Sequence, residues 1–381
     1  MSRRILLITL LTIIGWSQLT AQEVLTLEKA LEVAFQHSPA LIQSKISLEQ
    51  QQLNLKAQNA SLKSQFSLDV NPFNYTRNNQ YDNYNSRWYA NESMSSSASL
   101  GIVQPIKWTD GTISLINDLS WQDASNKTDN RKSTSFNHNL SLRLEQPLFT
   151  YNRTKMQLKE LEYALENAKI SYAMQELNIE KQVTTQFYEV YQKQKDLNTA
   201  KDEYNNQKQN YEIIKNKVEA GLVAKEEQFQ AEVNLATSES AVYNAEISYE
   251  NTKDNFKLLL GVSLDEDIMV LPNTAINTIN VNSMDAVKYA LDQRMELRQK
   301  EITLEEDLFS IIRAKSENEF KGSISARIGL DALAGKVKDM YSNPTDNEQI
   351  GVSLNIPIFD WGAKKARVKS SELAMESNKV D

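Results

Sequence analysis

Few residues in this sequence could support catalysis or bind a metal ion. The chain has no cysteine, which excludes thiol nucleophiles, disulfides and thiolate metal ligands. His37 and His138 are the two histidines, and neither has a second ligand at metal-binding spacing. No glycine-rich phosphate loop and no nucleophile elbow occur. We therefore expect no catalytic residue, no cofactor and no metal site, and we predict that the protein is not an enzyme.

The distribution of charge indicates an exported protein. The formal net charge is -8, and an acidic balance argues against a nucleic-acid partner. Near the start, Arg3 and Arg4 precede an apolar run from Ile5 to Trp16, and the small residue Ala21 follows. This order is typical of a secretory signal peptide, and the run is too short to span a bilayer as a helix. We predict a cleaved signal peptide at residues 1–21.

The longest regular pattern is a heptad repeat between residues 151 and 261. A seven-residue repeat keeps one side of a helix facing a partner, and a four-residue shift locally unwinds the supercoil. The many carboxylates lie on the flanks of the heptads, where exposure to solvent explains them. We predict a long coiled-coil hairpin that turns at Gly221. Its two tracks are Leu158, Leu165, Tyr172, Ile179, Val183, Val190, Leu197, Tyr204, Tyr211 and Val218, then Leu235, Val242, Tyr249 and Phe256.

A shorter heptad pattern occurs twice and predicts two internal repeats. Ser38 and Pro39 predict that a short helix ends near His37 and that a longer one begins there. The first copy contains Ala34, Leu41, Leu48 and Leu55, and the second contains Ala290, Leu297, Leu304 and Ile311.

After each copy the period changes from seven to two, which predicts strands with one apolar and one polar face. An additional strand pair is predicted around a tight turn at Asp110-Gly111, and its place in the sheet stays open. Each strand region ends in proline and aromatic residues, at Pro147, Phe149 and Tyr151 and at Pro357, Phe359 and Trp361. The alternating apolar sets are Phe66, Leu68 and Val70; Leu140, Leu142 and Leu144; Ile324, Ala326, Ile328 and Leu330; and Ile350, Val352, Leu354, Ile356 and Ile358.

Two kinds of sheet have this alternation. Strands of about ten residues, apolar outside, polar inside and edged by aromatic residues, are what a transmembrane β-barrel requires. The half-buried sheet of a soluble protein is the alternative. One chain offers roughly four to six strands, fewer than the ~8 of the smallest bacterial barrels, so a barrel would need several chains.

In this order the elements resemble the TolC-like outer-membrane efflux protein family. The resemblance covers the chain after Ala21 and is carried by the two proline–aromatic corners and by three short stretches. These are His37-Ser-Pro-Ala-Leu41, Val218-Glu-Ala-Gly-Leu-Val223 and Leu258-Leu-Leu-Gly261. It implies a mixed α+β membrane protein, a homotrimer with one shared transmembrane β-barrel continued by a long periplasmic α-helical coiled-coil barrel.

The resemblance also implies partners and site residues. Gly221, Leu222 and Val223 would form a tip that docks a periplasmic adaptor (membrane fusion) protein, which bridges to an inner-membrane pump. Outer-membrane lipid would surround the barrel. The barrel-to-helix corners would be Pro147, Phe149, Tyr151, Pro357, Phe359 and Trp361.

The expected domain boundaries follow from these patterns. The second long hairpin of the family is missing, so we expect a partial chain or a truncated reading frame. Because the closing constriction of the family draws on that hairpin, the resemblance implies no gate residues in this chain. The expected regions are the signal peptide 1–21, first repeat helices 22–64, first repeat strands with the extra hairpin 65–150, helical hairpin 151–261, linker 262–282, second repeat helices 283–319, second repeat β-hairpin 320–359 and the start of a second long helix 360–381.

The expected function is an exit duct of a tripartite efflux or secretion system. It would pass small molecules or proteins from the periplasm to the exterior, from a place in the outer membrane with a periplasmic extension. The sequence leaves efflux and protein secretion open. An exported coiled-coil surface adhesin or structural protein is the alternative.

Overall fold

The computed structural model describes residues 23–84, 86–126, 131–273, 275, 279 and 281–380, so the predicted signal peptide lies outside the described residues. The chain divides into two compact units. The first contains residues up to Leu48 and Ala168–Gln293, and the second contains Glu49–Asn167 and the residues from Arg294. Within the described ranges, no helix is long and apolar enough to cross a membrane.

Helices and strands alternate in blocks along the chain, which confirms the predicted mixture of helix and sheet. The helix α3 has 67 residues, equivalent to about 100 Å at ~1.5 Å per residue. The elements are β1 Glu23–Leu25, α1 Leu27–His37, α2 Pro39–Ser61, β2 Gln65–Asp82, β3 Arg87–Ile106, β4 Gly111–Asn126, β5 Arg131–Leu148, α3 Arg153–Glu219, α4 Lys225–Leu260, β6 Ile268–Val270, α5 Ser283–Gln293, α6 Met295–Ser316, β7 Lys321–Ala334, a 3₁₀ turn Val337–Asp339, β8 Thr345–Asn355 and α7 Ala363–Val380.

The boundary between α1 and α2 lies where the sequence predicts it. Thr26 caps α1, its hydroxyl accepting a hydrogen bond from the Lys29 backbone N–H at 3.3 Å. The Ser38 N–H donates to the Ala34 carbonyl at 2.9 Å, and Pro39 begins α2. Proline suits the first position of a helix because the N–H that it lacks would have no partner within the helix.

The core of the first unit forms around the middle of α3 and the end of α4. Ile179, Val183 and Val190 of the predicted heptad track are buried there. Phe187 meets Phe256 edge to face, with ring centroids 6.1 Å apart, and both side chains are fully buried.

A two-stranded parallel sheet joins this core and was not predicted. Strand β1 pairs with β6, and Leu25, Ile268 and Val270 are buried. The segment interpreted as a linker, 262–282, therefore contains a strand. Three-residue strands are too short to produce a recognisable alternation.

The second unit contains one six-stranded sheet in the order β2-β3-β4-β5-β7-β8, with every neighbouring pair antiparallel. The additional strand pair, β3 and β4, lies inside this sheet. Its tight turn at Asp110-Gly111 was predicted wrongly, because the connection uses four residues, Lys107 to Asp110, and β4 begins at Gly111. Asp110 has a positive φ of 59°, a conformation that aspartate tolerates better than most residues.

Strand β8 ends earlier than its sequence alternation predicts. Its last paired residue is Asn355, so the predicted continuation through Ile356 and Ile358 is wrong. Pro357 has no N–H to donate to a neighbouring strand, which explains why pairing stops before it.

The sheet has one apolar and one polar face, as the alternation predicts. Leu115, Leu142 and Ile328 are register partners on three successive strands and form one row of the apolar face. The row displaced by one residue on the opposite face contains Ser114, Arg143, Arg327 and Gln349. Many apolar side chains are exposed, including Phe66 at 71% and Val352 at 65%.

Candidate functional site: the hairpin tip and the strand-to-helix corners

The hairpin between α3 and α4 turns through a left-handed glycine. The Gly221 N–H donates to the Val218 carbonyl at 2.9 Å, and the Leu222 N–H donates to the Lys217 carbonyl at 2.8 Å. These two bonds form a Schellman motif, whose turning residue needs positive φ. Gly221 supplies it with φ of 71°, and no described atom lies within 4 Å of where a Cβ would stand.

The tip presents a small apolar surface next to acidic residues. Leu222 is 74% exposed, whereas Val223 is half-buried. Glu226 and Glu227 lie in the first turn of α4, where carboxylates interact favourably with the helix dipole. The tip is therefore well ordered by backbone hydrogen bonds and still offers an exposed leucine.

At the first corner, β5 gives way to α3 within four residues. Phe149 has φ of 59°, and its ring lies 5.1 Å from that of Phe320, just before β7. The same ring covers Gly322, where a Cβ would stand 3.3 Å from it. Pro147 and Tyr151 are half-buried on either side. Phe149 thus packs against the start of the neighbouring strand.

Two side chains each accept a hydrogen bond from one free N–H group at the start of α3. Asn152 accepts from the Lys155 N–H at 2.7 Å and donates to the Lys107 and Trp108 carbonyls at 2.8 and 2.9 Å. Asp110 accepts from the Thr154 N–H at 3.0 Å and pairs with Arg153 Nε at 3.0 Å. The turn between β3 and β4 is therefore fixed to the first turn of α3. We call this contact the β3–β4 latch.

The latch changes the titration of Asp110. Burial alone would raise the pKa of its carboxyl group, but hydrogen bonds from Thr154 and Arg153 outweigh burial and hold the pKa below its usual value. A depressed carboxyl pKa stabilises the folded state at neutral pH, and this contribution is lost as the pH falls through the folded-state pKa.

We expect Asp110→Ala to lower the free energy of unfolding by about 1 kcal/mol at pH 7, the typical cost of losing a helix-capping group. The difference from wild type should shrink as the pH falls below the ordinary aspartate pKa of ~3.9. Thermal unfolding followed by circular dichroism at pH 7 and pH 3 measures both. Asp110→Asn keeps an acceptor without the charge and serves as the control. A difference that does not change with pH would contradict the assignment.

At the second corner, a residue of the corner itself caps the start of α7. Asp360 accepts from the Gly362 and Lys364 N–H groups, each at 3.0 Å, and these bonds lower the pKa of its carboxyl. Phe359 and Trp361 meet edge to face with centroids 4.8 Å apart. Trp361 has φ of 56° and is 90% exposed, and Pro357 is also exposed.

The predicted corner residues and the capping residues form distinct sets. The structure brings Phe359 to Trp361 and Phe149 to the neighbouring strand. Pairing of β8 ends before Pro357, whereas Pro147 is still paired with Ser323 of β7. Sequence reasoning missed Asn152, Asp360 and Asp110. Asn152 and Asp360 could have been found as capping residue types just before a helix. Asp110 could not, because it reaches α3 from a different hairpin.

His138 packs against a polar and an aromatic side chain. His138 Nε2 lies 2.7 Å from Asn117 Oδ1, and its ring is 5.2 Å from that of Tyr341. Among the residues that the structure describes, no group of three or more histidine or carboxylate side chains could hold a metal ion.

Comparisons with known proteins identify this architecture. Residues 112–262 match the family model described as Outer membrane efflux protein. No curated protein matches the chain by sequence. Solved structures match 93% of the chain. They include the CmeC outer membrane channel of Campylobacter jejuni (16% identity, TM-score 0.63), VceC of Vibrio cholerae (15%, 0.61) and the MtrE outer membrane channel of Neisseria gonorrhoeae (14%, 0.62).

The chain spans 66%, 74% and 68% of those three structures. Identities this low show the fold, and the family match adds the efflux protein domain in the centre of the chain. The resemblance to TolC-like outer-membrane efflux proteins is thereby confirmed: residues 112–262 match the outer membrane efflux protein model, and the chain has the fold of the solved outer-membrane channels.

Proposed function

We propose that this chain is one subunit of a trimeric outer-membrane channel that serves as the exit duct of a tripartite efflux or secretion system. The observation that carries the proposal is the exposed apolar face of the six-stranded sheet. An apolar face that extends across neighbouring strands would be costly in water, because soluble monomers rarely expose large contiguous apolar surfaces. Lipid on the apolar side and water on the polar side would suit both faces.

The edges of the sheet support a shared barrel. Within the described part of the chain, β2 and β8 each pair on one side only. Unpaired edges cannot lie in lipid, and six strands are fewer than the ~8 needed to close a bacterial barrel. If β8 of each of three chains paired with β2 of the next, the hydrogen-bonding groups of every strand edge would have partners. Light scattering corrected for bound detergent would give three times the chain mass, and a monomer would refute the shared barrel.

A pair of substitutions on adjacent residues tests which face meets lipid. Leu68 points to the apolar face and is 66% exposed, and Ser67 points to the polar face. We expect Leu68→Arg to cost about 2–4 kcal/mol of stability in the membrane, because it places a charge in lipid, and Ser67→Arg to cost much less.

Folded protein in the outer-membrane fraction should therefore fall for Leu68→Arg and stay near wild type for Ser67→Arg. The reverse order would put the polar face toward lipid. Equal tolerance of both changes would indicate a soluble sheet and favour the exported coiled-coil protein.

For the tip, we propose that Gly221, Leu222 and Val223 dock a periplasmic adaptor that bridges to an inner-membrane pump. Leu222→Glu should weaken adaptor binding about tenfold or more, because it charges the exposed apolar residue of the patch. Asn210→Glu adds the same charge on the exposed surface of α3 and is the control. Crosslinking to the adaptor and the amount of inserted protein are the two measurements. Unchanged crosslinking and transport for Leu222→Glu would refute the tip assignment.

In this proposal the corners Pro147, Phe149, Tyr151, Pro357, Phe359 and Trp361 mark where the barrel gives way to helices. The exposed Phe359 and Trp361 suit the membrane interface, where aromatic rings are favoured. Transport would be driven at the inner membrane. Retention of a fluorescent dye in a deletion strain would indicate efflux, and loss of a secreted protein with unchanged dye would indicate secretion.

A further inference from the structure

The polar face of the sheet carries two arginines directly opposite each other. Arg143 of β5 and Arg327 of β7 are register partners, so their side chains leave the same face of adjacent strands. Like charges in directly opposed positions destabilise an antiparallel pair. The chain as a whole is acidic, with a net charge of -8, whereas this position brings two positive charges together.

Each guanidinium group has a buried Nε atom without a hydrogen-bond partner in the part of the chain that the structure describes. The Nε atoms of Arg143 and Arg327 are buried from solvent, and no described residue forms a hydrogen bond with either. The hydroxyl of Ser141, two residues along β5 on the same face, is also buried without a partner. A buried donor without an acceptor costs about 1–3 kcal/mol, so this cluster is incomplete as an isolated structure.

A cavity of about 190 Å³ lies at the pair. Its walls include both arginines, Ser325, Gln349 and one carboxylate, Glu145. Two guanidinium groups and one carboxylate leave a net positive charge. The cavity is smaller than the ~300 Å³ at which drug-sized pockets begin, so it would admit one small group.

A second acid on this face, besides Glu145, is hydrogen-bonded to other groups. Asp331, four residues along β7 from Arg327, accepts hydrogen bonds from Asn139 and from Asn347, the latter at 2.9 Å. Each amide engages one carboxylate oxygen, so Asp331 acts on Arg327 through its charge and not through a hydrogen bond.

We propose that Arg143 and Arg327 form an oxyanion-binding site that takes a phosphate or carboxylate group. The guanidinium fork matches the geometry of such groups, and each bond to an ionised acceptor is about twice as strong as a neutral one. One bound oxyanion would give both Nε atoms an acceptor and offset the repulsion between the two charges.

This inference rests on the proposed function for its place in the channel. With the polar face toward the lumen, each subunit contributes one arginine pair to the inner wall. Solutes that carry phosphate or carboxylate groups would then be retained transiently on their way out. The site therefore indicates that anionic molecules are a substrate class of the duct.

The test measures binding of inorganic phosphate and of acetate to the detergent-solubilised full-length protein, by line broadening in ³¹P and ¹³C NMR spectra. We expect a dissociation constant of roughly 1 mM for phosphate. Arg143→Gln and Arg327→Gln should each weaken binding about tenfold. Lys321→Gln removes one positive charge from the same face of β7, further along the strand, and should leave binding within about twofold.

A further variant separates geometry from charge. Arg143→Lys keeps the charge and loses the fork, so it should weaken phosphate binding about as much as Arg143→Gln. An equal effect of Lys321→Gln and the arginine variants, or no phosphate binding by wild type, would overturn the site. Binding of both anions supports oxyanions in general, and binding of phosphate alone narrows the class to phosphate groups.

Conductance across planar bilayers distinguishes failure of the site from failure of the channel. Conductance by wild type without phosphate binding would refute the site and keep the channel. Phosphate binding without conductance would refute the channel and keep the site. With both intact, the reversal potential in a salt gradient should shift toward cations in Arg143→Gln relative to Lys321→Gln.

Discussion

Replacing Gly261 by alanine is expected to be among the most damaging single changes in the first unit. Gly261 ends α4 with φ of 76°, and its N–H and that of Val262 donate to the Lys257 carbonyl at 3.0 and 3.1 Å. A Cβ here would overlap the carbonyl oxygen of His37 and stand 2.7 Å from its carbonyl carbon. Because both atoms belong to the backbone at the α1–α2 boundary, no change of side-chain rotamer could relieve the overlap.

We expect Gly261→Ala to lower the free energy of unfolding by about 3 kcal/mol or more, from the left-handed conformation and the overlap together. Gly221→Ala is the matched control, since Gly221 has φ of 71° and open space around it, and it should lose only about 1–2 kcal/mol. Thermal unfolding of the purified protein in detergent, followed by helical circular dichroism, compares the two. Equal losses would show that the overlap with the His37 carbonyl does not lower the free energy of unfolding.

Replacing Phe256 by alanine should have a similarly large effect. The Phe256 ring is fully buried against Phe187 in the core of the first unit. Removing a buried phenylalanine ring typically costs 3–5 kcal/mol, because apolar contact is lost and a cavity remains. The same unfolding experiment measures the loss.

Phe229→Ala is the matched control for Phe256→Ala, since Phe229 lies on the same helix and is 56% exposed. It should lose less than about 1 kcal/mol. A double-mutant cycle between Phe187 and Phe256 should give a coupling of about 0.5–1.5 kcal/mol. Similar losses for Phe229→Ala and Phe256→Ala would contradict the assignment of the core.

Sequence periodicity predicted those parts of the fold in which apolar side chains recur at a regular spacing. The heptad track predicted that Ile179, Val183 and Val190 lie inside, and alternation predicted the two faces of the sheet. Each pattern works because side chains at a fixed spacing lie on the same side of a helix or strand. Phe187 was missed because it lies four residues beyond Val183, outside the strict seven-residue track.

Contacts between distant segments could not be predicted in this way. The β1–β6 pair joins three-residue strands from opposite ends of the first unit, and Asp110 caps a helix that begins after another hairpin. The opposition of Arg143 and Arg327 depends on strand register, which changes the facing partner with each shift of one residue. Such features need the three-dimensional pairing of the strands.

The turn from Lys107 to Asp110 joins two strands of the sheet directly, so the sheet has more strands than helices attached to it. At the helical end of the sheet, β2, β5, β7 and β8 adjoin α2, α3, α6 and α7, whereas β3 and β4 join each other. In the described part of the chain this sheet thus has six strands, of which four lead into or out of a helix. Since the diameter of a barrel grows with its number of strands, three such chains, joined as proposed above, would enclose a wider bore than three chains with four strands each.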